Sequence, residues 1–296
     1  IVDAVRGATN AAKVLYPDRT DAEATGSATS SITSLNSDGF TIGSSDNSIN
    51  QSSQTYVGWA WDAGTSTVSN TDGSITSSVR ANQTAGFSIV TATQGSGDST
   101  WGHGLNTKPD LIILKARNQS YGWFVSHSGL DNQSTKFLQL HNTSAVTTNS
   151  NWFASTEPTS SVITTKAGGM WNSGDDFVAY CWAAVEGFSA FGSYVSNNST
   201  DGPFVFLGFQ AKLIIWKNRD DAHGWYMYDD ARDPQNVMAK YLGVHQNNAE
   251  AEPGGAMDIL SNGFKVRNTG SDMNTGSNTI IYMAWAEHPF KHSRAR

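Results

Sequence analysis

The stretch KNRDDAHGWYMYDDARD, Lys217 to Asp233, sets Asp220, Asp221, Asp229 and Asp230 beside Lys217, Arg219, His223 and Trp225. Three chemistries fit those residue types. Carboxylates near a histidine can move protons. Several carboxylate oxygens from one or two loops suit a calcium ion, so Asp220, Asp221, Asp229 and Asp230 are candidate ligands. A tryptophan amid polar groups can serve as a stacking face for a sugar. Other candidates are isolated. His103 stands in the Gly-flanked loop TWGHGLNTKP, with no Cys or acidic residue at metal-ligand spacing. Cys181 is the one cysteine, so no internal disulfide framework exists, and its apolar run FVAYCWAAV suits a buried thiol better than a nucleophile. Glu157, Glu186 and Glu287 each lack an obvious partner for glycosidase chemistry. Asn118-Gln-Ser and Asn142-Thr-Ser match the glycosylation pattern, which chance supplies in a chain this rich in Asn, Ser and Thr.

The repeats decide between these readings. DLIILKARNQSYGWFVSHSGL from Asp110 and KLIIWKNRDDAHGWYMYDDAR from Lys212 align without a gap. Leu111, Ile112, Ile113, Lys115, Arg117, Gly122 and Trp123 match Leu213, Ile214, Ile215, Lys217, Arg219, Gly224 and Trp225. The acidic positions do not recur, since Asn118, Gln119, His127 and Ser128 stand there in the earlier copy. Exposed loop charge is therefore favoured over a metal at Asp220, Asp221, Asp229 and Asp230. The recurring Lys115/Arg117 and Lys217/Arg219 share one strand face, which predicts that they point away from the apolar side. Their expected role is structural, with Arg bonding a carboxylate or loop carbonyls and so fixing the turn that returns Gly-Trp. Trp123 and Trp225 are expected in the core. No catalytic residue, metal or cofactor is assigned.

The elements that must hold these residues are short. DLIILK, KLIIWK, GFSIVTA, FVFLGFQ, FVAYCWAA and TIIYMAWA are apolar runs of four to eight residues between turn-forming clusters, the pattern of strands. Asp38-Gly39, Asp72-Gly73, Asp201-Gly202 and Asn262-Gly263 mark tight turns. One or two helical turns are expected only around Val237–Gly243. LNSDGFTIG from Leu35 resembles LSNGFKVRN from Leu260, and each leads to an aromatic strand. Equal spacing sets Tyr56/Trp59, Phe177/Tyr180 and Tyr282/Trp285 opposite one another, while DAVRG parallels DDARD (Arg6 opposite Arg232) and TDAEAT parallels NAEAEP. The reading is all-β: tandem β-sandwich-like repeats of about 100 residues with very little helix. The tail of a first unit spans 1–66, a Ser/Thr/Asn-rich linker 67–83, a second unit 84–188, a third 189–290, and a basic tail 291–296. The chain opens in mid-pattern, which predicts further sequence upstream.

With 296 residues, 38% hydrophobic and 15% charged, the chain can build a real core. A net charge of −7 leaves no basic footprint for nucleic acid, and no apolar run reaches the length of a membrane helix. The blocks PDLIILKARNQSYGWFVSH, SDGFTIG, YCWAAVEGFSAFGSY, STDGPFV and YMAWAEHPF resemble a tandem-repeat domain of unknown function in structural proteins of marine bacteriophages, including those of cyanobacteria. That resemblance covers nearly the whole chain and brings no established catalytic residue. It implies a virion protein, a tail fibre or other external appendage that meets the host, with a capsid head fibre or decoration as the alternative. By the same analogy it implies a homo-oligomer, a trimer, among other virion proteins, with a host surface glycan or protein as receptor. A carbohydrate-binding module attached to a depolymerase is the rival from another class, and it predicts exposed aromatics at Trp101, Trp152 or Trp171, which do not recur between units.

Overall fold

The structure is a computed structural model, and it describes residues 1–7, 13–26, 31–44, 49–252, 254–270 and 272–287. The expected basic tail lies outside the described residues. The first unit contributes two small hairpins, β1 (Lys13–Val14) with β2 (Ala24–Thr25) and β3 (Ile32–Asn36) with β4 (Gly39–Ile42). The second holds β5 (Val68–Asn70), β6 (Ser77–Asn82), β7 (Phe87–Thr93), β8 (Asp98–Gly102), β9 (Leu111–Ala116), β10 (Trp123–His127), β11 (Lys136–Gln139), β12 (Thr147–Thr148), β13 (Val162–Lys166) and β14 (Asp176–Trp182). The third holds β15 (Ser189–Val195), β16 (Phe204–Phe206), β17 (Leu213–Asn218), β18 (Trp225–Asp229), β19 (Leu242–Gly243), β20 (Met257–Leu260), β21 (Gly263–Val266) and β22 (Thr279–Trp285). The fold is all-β, and its helical content among the described residues is two 3-10 turns, Ser128–Leu130 and Trp152–Ser155.

Both complete units are two-layered. In the second, the sheet β12-β11-β10-β9-β14-β7-β6-β5 faces the two-stranded sheet β13-β8. In the third, β15-β22-β17-β18-β19 faces β16-β21-β20. Every named pairing is antiparallel, and β9 and β17 hold the same place between a long strand and a hairpin partner. Ile112, Leu114 and Ala116 of β9 pack with Trp101, Ile163 and Phe177 in the second unit's own core. Ile214 and Trp216 of β17 do the same with Phe264 and Ile280 in the third.

The opposite face of each large sheet is also buried. Leu111, Val178 and Trp182 of the second unit join Leu213, Ile215, Met283 and Trp285 of the third, with Leu15 and Ala63 of the first, in one shared central core. Strands covered on both sides read as continuous apolar runs rather than alternating ones, as LIIL and LIIW do. The units are therefore clasped through a common core and are not beads on a string.

Several expectations are corrected. Residues 67–83 are no linker: β5 and β6 extend the second unit's sheet, with Val79 buried against the core. Val237–Gly243 forms no helix, because Met238 bridges Met257, Tyr241 bridges Ala251, and Leu242–Gly243 is β19. In the first unit the expected strand YVGWAWDAG makes no sheet ladder, although β14 and β22, its counterparts, are central strands.

Candidate functional site

The repeated Lys-x-Arg strand ends build the contacts between units. Lys115 lies on the same face as Leu111 and Ile113, the shared-core face, so the expectation that it points away from the apolar side is corrected: both faces are apolar. Its stem is wholly buried, and its Nζ donates to the carbonyls of Ala116 (2.8 Å) and Gln119 (3.2 Å) in the following turn. Lys217 repeats this on Asn218 (2.6 Å) and Asp221 (3.3 Å) and also reaches Thr143 O of the second unit (3.3 Å). Burial pushes both ammonium groups down to about 8.

The arginines reach backwards along the chain. Arg117 forms a bidentate pair with Glu23 of the first unit, Nε to Oε2 at 2.9 Å and Nη2 to Oε1 at 3.1 Å. Arg219 donates through Nη1 to Gly129 O (2.6 Å) and Asp131 Oδ1 (2.7 Å) of the second unit. The arginine carbonyls accept from the same neighbours, Glu23 N onto Arg117 O at 2.7 Å and Val146 N onto Arg219 O at 2.8 Å. The Gly-Trp indoles follow suit, Trp123 Nε1 donating to Tyr16 O and Trp225 Nε1 to Gln139 O, each at 2.8 Å. Both tryptophans are fully buried.

A second constellation recurs with substitution. Arg6 Nε pairs with Asp3 at 2.5 Å, Nη1 with Glu23 at 3.1 Å, and Nη2 with Ile1 O. Arg232 makes the same three contacts with Asp229, Glu250 and Met227 O. By strand register, the second unit puts His127, Leu130 and Val146 in these places. Arginine and both carboxylates are replaced together there, so no charge is left unpaired. His127 is fully buried, accepts from Gly129 N on Nδ1 and donates from Nε2 to Tyr282 O of the third unit, while burial pulls its pKa down to about 4. Each constellation leans on the next unit: Asp3 and Arg6 on the Tyr180 hydroxyl at 2.7 and 3.0 Å, His127 on Tyr282, and Arg232 over the ring of Trp59.

At the centre stand three tryptophans, one from the last aromatic segment of each unit. Trp61, Trp182 and Trp285 meet edge to face with centroid separations of 6.0, 5.5 and 6.0 Å. Trp182 pairs with Leu111 and Trp285 with Leu213, so these two are equivalent. The equal-spacing match of Tyr56/Trp59 with Phe177/Tyr180 and Tyr282/Trp285 is thereby corrected. The units run first to second to third and back to first around this triad, a pseudo-threefold arrangement.

The residues singled out as sites fall elsewhere. Trp101, Trp152 and Trp171 are buried in the second unit's core, at 0%, 0% and 2% exposure, and offer no face to a sugar. They do not recur because each unit fills its own core differently. Asp220 and Asp221 sit at the turn end of the β17–β18 hairpin, whereas Asp229 closes β18 at the other end and Asp230 follows it. Four residue steps of strand, roughly 13 Å, lie between. Asp220 accepts from Thr279 N, Asp221 from Asn278 Nδ2, Asp229 from Arg232 and Asp230 from Lys212. Among the described residues no group of three or more His, Cys, Asp or Glu converges as a metal set. His103 is buried, accepting from Leu105 N and bonded to Thr159 O. The Cys181 thiol is buried, and burial pushes its pKa up. Glu157 pairs with Lys108, and Glu287 lies 3.8 Å from Lys212. Two open surface depressions, about 440 and 380 Å³, are lined by residues such as Thr76, Arg117 and Asp176 and by Lys108, Asp131 and Glu157. Sequence comparison missed one further pair. His141 Nδ1 accepts from Trp123 N and His245 Nδ1 from Trp225 N, each at 3.1 Å. Loop lengths change the spacing here, but a lone histidine after each Leu-rich strand was the signal.

Across residues 1–289 the chain matches a domain of unknown function, DUF7483. The chain belongs to this family. No curated protein and no solved structure matches it.

Proposed function

We propose that this DUF7483 chain is a non-enzymatic structural component of a virion, an external appendage such as a tail fibre that meets the host surface. The observation that carries the structural part is the spending of the chemistry-bearing side chains on contacts within and between units. The conspicuous candidates of the sequence, Lys217, Arg219, Asp229 and Arg232, each bond to backbone or to an opposite charge in the clasp. The virion part rests on the resemblance of the repeat blocks to marine phage structural proteins. Mass spectrometry of purified particles, with antibody labelling in electron micrographs, tests the reading. Label on a tail or fibre is expected. Label on the capsid surface moves the protein to the head, and its absence from particles overturns the proposal.

A further inference from the structure

Two of the three contacts around the tryptophan triad are complete, and they define what the third takes. Between second and first units, and between third and second, an incoming hairpin supplies an arginine, its carbonyl and a Gly-Trp indole. The receiving unit offers Tyr16 O with Glu23, or Gln139 O with the Val146 N–H. The third unit carries the same receiving surface, with Gly243 and Glu250 in the equivalent places. Among the described residues, Glu250 pairs with Arg232 alone and its side chain is 39% exposed, whereas Glu23, holding two arginines, is 9% exposed.

The first unit shows the complementary opening. Phe40 and Ile42, two apart on β4, share a face, the Phe40 ring lies against Gly58 two residues beyond Tyr56, and the three side chains are 45%, 39% and 49% exposed. By hairpin register and by distance from the central tryptophan, their third-unit counterparts are Phe264, Val266 and Ile280, each fully buried in the core between the two sheets, where β16 and β17 flank β21 and β22. The face is thus half of a sandwich core whose other half is known from two examples in the same molecule.

We infer that this notch, between the first unit's apolar face and Glu250, is a docking site for a β-hairpin of the repeat's own pattern. The occupant is a hairpin of the pattern Leu-Ile-Ile-x-Lys-x-Arg returning through Gly-Trp. It enters in line with Ile1 as β10 enters in line with Val125, since Ile1 pairs with Leu15 as Val125 pairs with Leu138. Its apolar side chains cover Phe40 and Tyr56, its arginine pairs with Glu250, and its indole donates to the Gly243 carbonyl. Charge complementarity and continuity with the two existing contacts specify this occupant over an unrelated strand. The inference stands whether or not the chain is a virion component.

The test joins a copy of residues 209–226 directly ahead of Ile1 and compares it with the same residues scrambled. Amide exchange at Gly39–Ile42 and at 56–61 is expected to slow about tenfold or more with the native-order extension, and the melting temperature to rise. Glu250→Gln, and Arg219→Leu made in the copied segment alone, are each expected to remove part of that rise while exchange at Phe40 stays slow. Equal protection by the scrambled extension, or none from either, overturns the inference. So does sedimentation showing that the unextended chain is a dimer already protected at Phe40 and Tyr56, because a second copy would then be the occupant.

Discussion

His127 shows how a single side chain records its unit's place in the clasp. It is a buried neutral imidazole where the neighbouring units carry a buried carboxylate, and burial holds it near 4 against an ordinary value near 6.5. As pH falls, the unfolded chain binds this proton first, so stability present above about 6.5 is lost progressively down to about 4. His103, His141 and His245 are lowered by the same cause and add the same sign. We expect urea midpoints to drop over that window, and His127→Gln, which keeps an acceptor and a donor but cannot titrate, to remove of order 3 kcal/mol of the pH dependence. An unchanged slope in that variant would refute the assignment. Lys115 and Lys217 act on the alkaline side. Burial lowers both to about 8, so between about 8 and 10 the unfolded chain holds protons that the folded chain has released, and stability rises with pH. Lys217→Met should flatten that rise in the same titration. The lysines were legible in the sequence as a recurrent pair. Their burial was not, because a period-two reading assumes one wet face and these strands have none.

The Asp-Arg-Glu clasp belongs to the scale of elements. Removing Arg6 alone leaves the buried Asp3 carboxylate without a cation, while Glu23 keeps Arg117, and Arg6→Leu is expected to cost about 3–5 kcal/mol in denaturant titrations. The double change Asp3→His, Arg6→Leu copies the second unit's solution at those two places, keeps Glu23 on Arg117 and should cost less than the single one. If it costs the sum of its parts, the two residues are independent and the reading fails. Sequence comparison reached half of this, matching Arg6 with Arg232 and the two Glu-bearing segments. It passed over the second unit, where all three members change at once and nothing polar remains to align. The strands themselves were legible from short apolar runs between turn residues. β5 and β6 were not, because SSVRAN and VSN are rich in small polar residues and hold their places by pairing, β6 along β7 and β5 along β6.

On the scale of the whole molecule, the shared core ties the units into one folding unit. Trp182→Ala removes one corner of the central triad, and a loss of about 3–5 kcal/mol is expected, with a single calorimetric transition before and after the change. Two separated transitions, only one of them shifted, would mean that the units melt independently. The triad was hidden from sequence comparison because equal spacing favoured other aromatics, and only strand register shows which tryptophans share a place. Its geometry also has an optical consequence. Three indoles from three distant parts of the chain, held 5.5 to 6.0 Å apart and steeply inclined to one another, couple their electronic transitions. The folded chain should therefore show an exciton couplet in circular dichroism that shrinks when any one of the three is replaced by phenylalanine and is lost when two are, a spectral report on whether all three units are seated at once.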